Sequence, residues 1–273
     1  MKCMICDSIM NYYFSKEYLE KPFNLFMKNI GKIQYYKCNG CGFVISKTHS
    51  ELSSELWNKL NAEFHHYIEH HYIIPEKINP PPYLEQVMMI YILLQNQIIN
   101  HTGMLDFAGG YGTSSKLLKK YFNFKMDIYD PYIQNNDVNY IDIDTTKRYG
   151  VVFSSAMFEH ITNRDDLEKL NSVVSEEGCL ILHTVICENI PNDPDWFYLE
   201  APVHCAFHTN KSMTELMRQW NYMDSIYCPT SKCWVLFKKD SKYRFETINT
   251  INKELQRSYL YYKKGFVDYW KGF

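Results

Sequence analysis

At 273 residues, 46% of them hydrophobic and 22% charged, the chain is long enough to bury a sizeable core in one or two domains. Its formal net charge of −2 gives no electrostatic case for a nucleic-acid partner, because a dedicated binder carries a basic excess. The first 30 residues interleave Cys, Asp, Glu and Lys, unlike a signal peptide. The longest apolar run, Val87 to Leu94, is too short to span a bilayer. A cytoplasmic protein without a transmembrane segment is expected.

The chain opens on Cys3-Met-Ile-Cys6, and Cys38-Asn-Gly-Cys41 follows after 31 intervening residues. Two C-x-x-C pairs in a reducing compartment read as a metal site rather than as disulfides. Each pair can aim two thiolates at one ion, and four thiolates close a structural tetrahedral zinc site. Gly40 and Gly42 suit the second turn. Between the pairs, Tyr12, Tyr13, Phe14, Phe23, Phe26, Ile33, Tyr35 and Tyr36 supply a small β-ribbon core. The other five of the nine cysteines show no such pairing. Residues 1–50 are therefore expected to form a zinc ribbon.

Residues 51–100 read as a helical connector or lid in two pieces. Leu52, Leu56, Leu60, Phe64 and Tyr67 fall at helical spacing, Pro75 and Pro80 to Pro82 interrupt, and Tyr83 to Asn100 resumes. The cluster His65, His66, His70, His71 reads as a polar helix face, with a metal site as the alternative.

From Met104 the chain alternates strands and helices, which implies an α/β, Rossmann-like doubly wound sheet over residues 101–240. Strand one, Met104 to Phe107, runs into Ala108-Gly109-Gly110-Tyr-Gly112, and a helix spans about Ser114 to Tyr121. A glycine-rich turn there lets backbone approach a ligand closely at a helix N-terminus. Strand two ends on Asp130 and Pro131, 24 residues after Asp106; an acid at that place suits ribose hydroxyls. Strand three is read at Asn139 to Asp144 and strand four at Val151 to Ser155. A helix then begins near Thr162 or Asn163 and stops at Gly178, with strand five at Cys179 to Ile186. A helix from about Asn210 to Trp220 and two antiparallel strands near Ser225–Cys228 and Cys233–Lys238 complete the core.

This order resembles class I S-adenosylmethionine-dependent methyltransferases over residues 84–240. The family's acid-x-Gly-x-Gly-x-Gly signature falls on Asp106, Ala108, Gly110 and Gly112; Ala108 replaces the first glycine, tolerable if its φ is negative. The resemblance implies S-adenosylmethionine as cofactor. Asp106 would organise the turn, Ala108, Gly109, Gly110 and Gly112 would border the methionine part, and Asp130 with Pro131 would lie at the ribose. Asp142 and Ile143 would flank adenine, with Asp144 competing, and Ser155 would face the sulfonium side. The segment Ser154 to Ile161, with Glu159 and His160, and the pattern His204-Cys-Ala-Phe207-His208-Thr209 are also similar to the family's. The cysteine-rich front end resembles bacterial methyltransferases of sugar and surface-polysaccharide pathways. Related sugar C-methyltransferases carry a further C-terminal domain, so O-methylation is the expectation.

Such a transfer needs a base on the acceptor hydroxyl. The segment Cys187 to His208 follows a strand end and is expected to form a lid over the acceptor. The base candidates rank His204, then His208, then His160. The acceptor expected is a small-molecule sugar, including a phosphorylated or nucleotide-linked one, and no nucleic acid. Residues 241–273 read as an amphipathic helix with apolar positions from Phe245 to Phe266, packed on its own domain, with a homodimer contact or weak association with acidic surfaces as the alternatives. Competing functions are an RNA methyltransferase, a nonenzymatic zinc-ribbon adaptor on a degenerate methyltransferase fold, and a nicotinamide oxidoreductase.

Overall fold

The protein is seen in a computed structural model that describes residues 1–71, 81–100, 102–133, 139–241 and 243–268, without the side chains of residues 69–71. The side chains of Glu69, His70 and His71, and the prolines Pro75 and Pro80, lie outside the described residues.

In chain order the elements are β1 (Met10–Lys16), α1 (Phe23–Met27), β2 (Ile33–Cys38), β3 (Val44–Ser46), α2 (Lys47–Ser50), α3 (Ser54–His71), α4 (Tyr83–Gln95), β4 (Met104–Phe107), α5 (Thr113–Phe122), β5 (Asp127–Tyr129) and β6 (Tyr149–Ser155). A 3-10 turn at Phe158–His160 leads to α6 (Arg164–Ser172), β7 (Val174–His183) and β8 (Ile186–Cys187). A second 3-10 turn, Phe197–Leu199, precedes β9 (Ala206–Thr209), α7 (Asn210–Gln219), β10 (Asp224–Cys228), β11 (Cys233–Phe237), α8 (Arg244–Glu254) and β12 (Tyr261–Lys264). The chain forms two compact units. The first comprises Met1–Pro80, Phe158–Asp166 and Val185–Glu215; the second comprises Pro81–Met157, Leu167–Thr184 and Leu216–Phe273.

The first unit holds a five-stranded sheet in the order β1-β2-β3-β9-β8. Ile33 and Tyr35 of β2 are fully buried while Gln34 between them is exposed, the two-residue alternation of a half-buried strand. Tyr35 stacks on Phe14 of β1 at 4.9 Å and meets Phe207 of β9 at 5.7 Å. Helix α3 buries Trp57, Leu60, Asn61 and Phe64, one stripe of a 3.6-residue period. Its entry is capped by Ser53, whose Oγ accepts from the Leu56 N–H at 3.2 Å. Strand β9 passes into α7 through a reciprocal cap: Thr209 Oγ1 accepts from Ser212 N at 3.1 Å, and Ser212 Oγ accepts from Thr209 N at 2.9 Å.

The second unit is a mixed α/β, Rossmann-like unit around a seven-stranded sheet, ordered β12-β10-β11-β7-β6-β4-β5. Strands β5, β4, β6 and β7 run parallel; β11 is antiparallel to β7, and β10 pairs antiparallel with both β11 and β12. All four residues of β4 and all five of β10 and of β11 are buried, as expected of strands covered on both faces. Val87, Ile90 and Leu93 of α4, Leu118 of α5 and Ile248 and Ile251 of α8 belong to the same apolar core. Burial of each such side chain stabilises the fold by about 1.5–3 kcal/mol. A buried ion pair joins Arg244 at the start of α8 to Asp224 of β10. The Arg244 guanidinium also lies 3.7 Å from the Phe237 ring centroid.

Several expectations need correction. The compact units do not follow the linear division at residues 50, 100 and 240, because the first unit recruits two later segments. Strand three is reduced to one parallel bridge, Ile128 to Tyr140. The helix before Gly178 ends at Ser172, and Gly178 lies inside β7. A Cβ there would meet the Gly150 and Tyr149 carbonyl oxygens at 2.9 Å, so this glycine serves close strand approach beside a register shift, not helix termination. The tail helix stops at Glu254, and Tyr261–Lys264 is an edge strand. Asn252 explains the change: its Oδ1 accepts from the Tyr259 and Leu260 N–H groups, both at 2.9 Å, and its amide donates to the Leu260 carbonyl. The stretch read as a lid contains β8, a 3-10 turn and β9, built into the first unit's sheet through Val44–Phe207 and Ile45–Ala206 pairing.

Candidate functional site

The second unit gathers the glycine-rich turn and the strand-end acids. Asp106 closes the buried run of β4 and is 2% exposed. Burial, with the nearby Asp130 carboxylate adding to it, pushes its carboxyl up to about 8. A Cβ on Gly109 would sit 2.7 Å from Asp106 Cγ, so only glycine lets the turn fold back over this acid. Gly110 has φ +54 with open space around its absent Cβ, and its N–H donates to Asp130 Oδ2 at 2.8 Å. Gly112, φ +71, opens α5; a Cβ there would meet the Ile128 side chain at 2.5 Å.

Ala108 departs from its expected condition: its φ is +58, in the left-handed region, as is that of Ala156 beyond β6. An L-residue there costs about 1–2 kcal/mol relative to the right-handed region. Both alanines lie just past the carboxyl ends of adjacent parallel strands, where strained backbone is often kept for function.

Asp130 carries three backbone hydrogen bonds. Besides Gly110, its Oδ1 accepts from Tyr132 N and Ile133 N, each at 2.8 Å. A carboxylate offers about four lone-pair directions, so one remains after these three. Asp130 therefore binds the glycine turn to the end of β5. Pro131 and Asp142 are exposed, while Ile143 is half-buried. Ser155, at the end of β6, exchanges hydrogen bonds with the buried Gln86 of α4 at 3.1 and 3.3 Å.

Two residues outside the sequence expectations, Gln86 and Tyr140, join these groups. Gln86 lies on the buried stripe with Ile90 and Leu93, and a polar residue at that phase was the available signal. Tyr140 donates from its hydroxyl to the Gly110 carbonyl at 2.7 Å, a contact with no local sequence mark.

The first unit holds both cysteine pairs and the histidine candidates. The four thiols lie within 4.8 Å of one another, with Cys3 to Cys41 at 3.7 Å and Cys6 to Cys38 at 3.4 Å. A regular tetrahedron with Zn–S bonds of about 2.3 Å has sulfur edges of about 3.8 Å, so the spacing fits one ion. Backbone N–H groups face two of the sulfurs: Ile5 toward Cys3, and Gly40 and Cys41 toward Cys38, at 3.3–3.4 Å. The hydrogen bond with Cys41 draws the Cys3 thiol down to about 5, and the same contact raises Cys41. Gly40 has no room for a Cβ beside Ser8, and Gly42, φ +75, faces Thr209. Thr209 also donates to the Cys41 carbonyl at 2.5 Å, tying the cysteine loop to the end of β9.

Of the three base candidates, His160 and His204 are half-buried, with ring centroids 5.1 Å apart. His204 Nδ1 lies 2.6 Å from the Tyr198 carbonyl oxygen, and burial lowers its pKa to about 4. Burial, with neighbouring His204, His65 and His49, holds His160 well below the usual histidine range. His208 is different: it is fully buried in β9 between the Phe43 and Phe158 rings, at 4.9 and 5.3 Å, and burial lowers it to about 3. That is a packing position, closed to an acceptor. Glu159 adjoins the His160 and His204 rings, and Tyr198 adjoins that of His204. Glu159 is 2% exposed and accepts from the Tyr198 hydroxyl at 2.6 Å.

No family model matches the chain, and no curated protein matches it. Among solved structures, the plantazolicin methyltransferase BpumL, in complex with a triazolic desmethylPZN analog and SAH, is similar with 14% identity and a TM-score of 0.46. That match covers 76% of this chain and 94% of that one. A SAM-dependent methyltransferase of Thermotoga maritima is 11% identical with a TM-score of 0.44, over 68% of this chain and 100% of that one. Among the described residues no helix is long and apolar enough to cross a membrane.

Proposed function

We propose that this protein is an S-adenosylmethionine-dependent methyltransferase acting on a hydroxyl of a sugar or of an activated surface-polysaccharide precursor, with a structural zinc ion on Cys3, Cys6, Cys38 and Cys41. The observation that carries the methyl-transfer reading is the Asp106–Gly112 turn at the carboxyl end of β4. Gly109 excludes any side chain there, the Gly110 N–H is held on Asp130, and Gly112 opens a helix. Ligands of open α/β sheets bind at this end of the strands.

S-adenosylmethionine, when bound, supplies an electrophilic sulfonium methyl group. Gly110, open on its Cα side, leaves room beside the methionine part. Asp130, with a lone pair to spare, takes a ribose hydroxyl, and Asp142 and Ile143 flank adenine. Gln86 fixes Ser155 on the sulfonium side. The acceptor class rests on the cysteine-rich front end, and its activation falls to a histidine. A carbonyl can only accept, so the His204 Nδ1 beside Tyr198 carries the proton and Nε2 keeps the lone pair. His204 is neutral at pH 7, the state a base needs.

Calorimetry with S-adenosylmethionine and S-adenosylhomocysteine tests the cofactor, and S-adenosylhomocysteine release across sugar and nucleotide-sugar acceptors tests the substrate. One-to-one cofactor binding that Asp130→Ala weakens is expected. Absence of binding to the folded wild-type chain would end the reading.

A further inference from the structure

The first unit brings together a second set of metal-ligating groups, of different chemistry from the four thiols. One carboxylate oxygen of Glu159 and one ring nitrogen each of His160 and His204 lie within 4.8 Å of one another. We propose that Glu159, His160 and His204 form a second metal centre, which takes a divalent transition ion such as Zn2+.

The orientation of each group supports this. The His204 Nδ1–H is committed to the Tyr198 carbonyl at 2.6 Å, so Nε2 presents the lone pair. His160 has a buried Nδ1 with no hydrogen-bond partner, a desolvation cost that a ligated ion removes. Glu159 is 2% exposed, and a carboxylate so removed from water gains most from a cation. Tyr198 serves two of the three ligands at once. Its carbonyl fixes the His204 ring and its hydroxyl, at 2.6 Å, fixes Glu159. Outer partners of this kind orient ligands in established metal sites. The backbone adds to the arrangement: the Cys205 N–H donates to the Glu159 carbonyl at 2.7 Å, which fastens the two ligand-bearing segments to each other.

Two imidazoles and one carboxylate suit zinc, manganese, iron or cobalt, and three protein ligands leave a position for water or an acceptor oxygen. With an ion bound, the His204 Nε2 lone pair would serve as ligand, and the ion rather than the ring would lower the pKa of a bound hydroxyl. All three ligands belong to the first unit, so the centre binds its ion whether or not the protein transfers methyl groups.

The test uses the full chain, loaded with Zn2+ or Co2+, desalted, and assayed for metal by mass spectrometry. Wild type is expected to hold two equivalents. In the Co2+ form, only one should show thiolate-to-metal absorption in the near ultraviolet. The double variant H160A/H204A should keep the thiolate-bound equivalent and lose the other. Tyr198→Phe, which spares all three ligands, should weaken the second equivalent by about 10–100-fold while circular dichroism stays unchanged. One equivalent in wild type, or two retained in folded H160A/H204A, would overturn the proposal. Calorimetry of S-adenosylmethionine on the same samples reports separately on the methyl-transfer reading.

Discussion

Asp106 ties the stability of the protein to pH in an unusual direction. Its carboxyl is pushed from the ordinary 3.8 up to about 8 by burial and by Asp130. The folded chain therefore holds a proton that the unfolded chain releases above about pH 4. With more protons bound in the folded state, stability falls as pH rises, by about 1.4 kcal/mol per unit between pH 4 and 8, and then levels off. From pH 5 to 7 the Asp106 contribution alone is a loss of about 2–3 kcal/mol. Asp106→Asn removes the titration while keeping size and polarity, and its carbonyl can still accept from the Ser115 backbone that Asp106 uses. Urea unfolding of both proteins by tryptophan fluorescence, at pH 5, 6, 7 and 8, isolates this effect in the difference between them. The variant should gain on wild type by about 2–3 kcal/mol over the two units from pH 5 to 7. A difference that stays constant with pH would show that Asp106 is already ionised in the fold, and the buried neutral acid would be refuted.

Other substitutions read different parts of the structure. Gly109→Ala drives a Cβ to 2.7 Å from Asp106 Cγ, so urea melts should show about 1–3 kcal/mol of destabilisation and cofactor calorimetry a weaker signal. Its neighbour behaves oppositely: Ala108→Gly relieves a φ of +58, and the gain, reduced by the extra freedom of the unfolded chain, should be about 0–1 kcal/mol in the same melts. Arg244→Met strands the buried Asp224 carboxylate and should cost about 3–5 kcal/mol in thermal or urea unfolding, with R244M/D224N recovering much of it. Cys38→Ser/Cys41→Ser should lower bound zinc by one equivalent by mass spectrometry and make residues 1–50 the first target of limited proteolysis.

Local patterns made much of the second unit legible. The apolar run before Asp106, the glycines after it and the acid at 130 specify a strand–turn–helix and its neighbour in a few residues. The cysteine pairs were equally plain, because C-x-x-C spacing is set by the geometry of one turn. What failed depended on distant partners. Gly178 looks like a helix terminator until β6 is placed beside it and its missing Cβ is seen to admit the Gly150 carbonyl. Tyr259, Tyr262 and Phe266 keep helical spacing, yet the Asn252 side chain captures the backbone at 259 and 260 and turns the chain into a strand. The residues 204–209 carry a recognisable pattern, but nothing local says that they pair with Val44 and Ile45. Glu159 owes its surroundings to Tyr198, 39 residues later.

The discontinuity of the first unit has a consequence for how it is made. Residues 1–71 carry the four cysteines and β1 to β3, but among the described residues the other side of β3 is paired by residues 205 to 207. During synthesis a ribosome must add about 160 further residues before that edge can close, a delay of about 8–32 s at ordinary elongation rates. For that interval the Val44–Ser46 edge is a bare template for another nascent chain. A gene fragment ending near residue 80 would freeze the protein in that exposed state, and grafting the cysteine module onto another protein would require three separate splices rather than one.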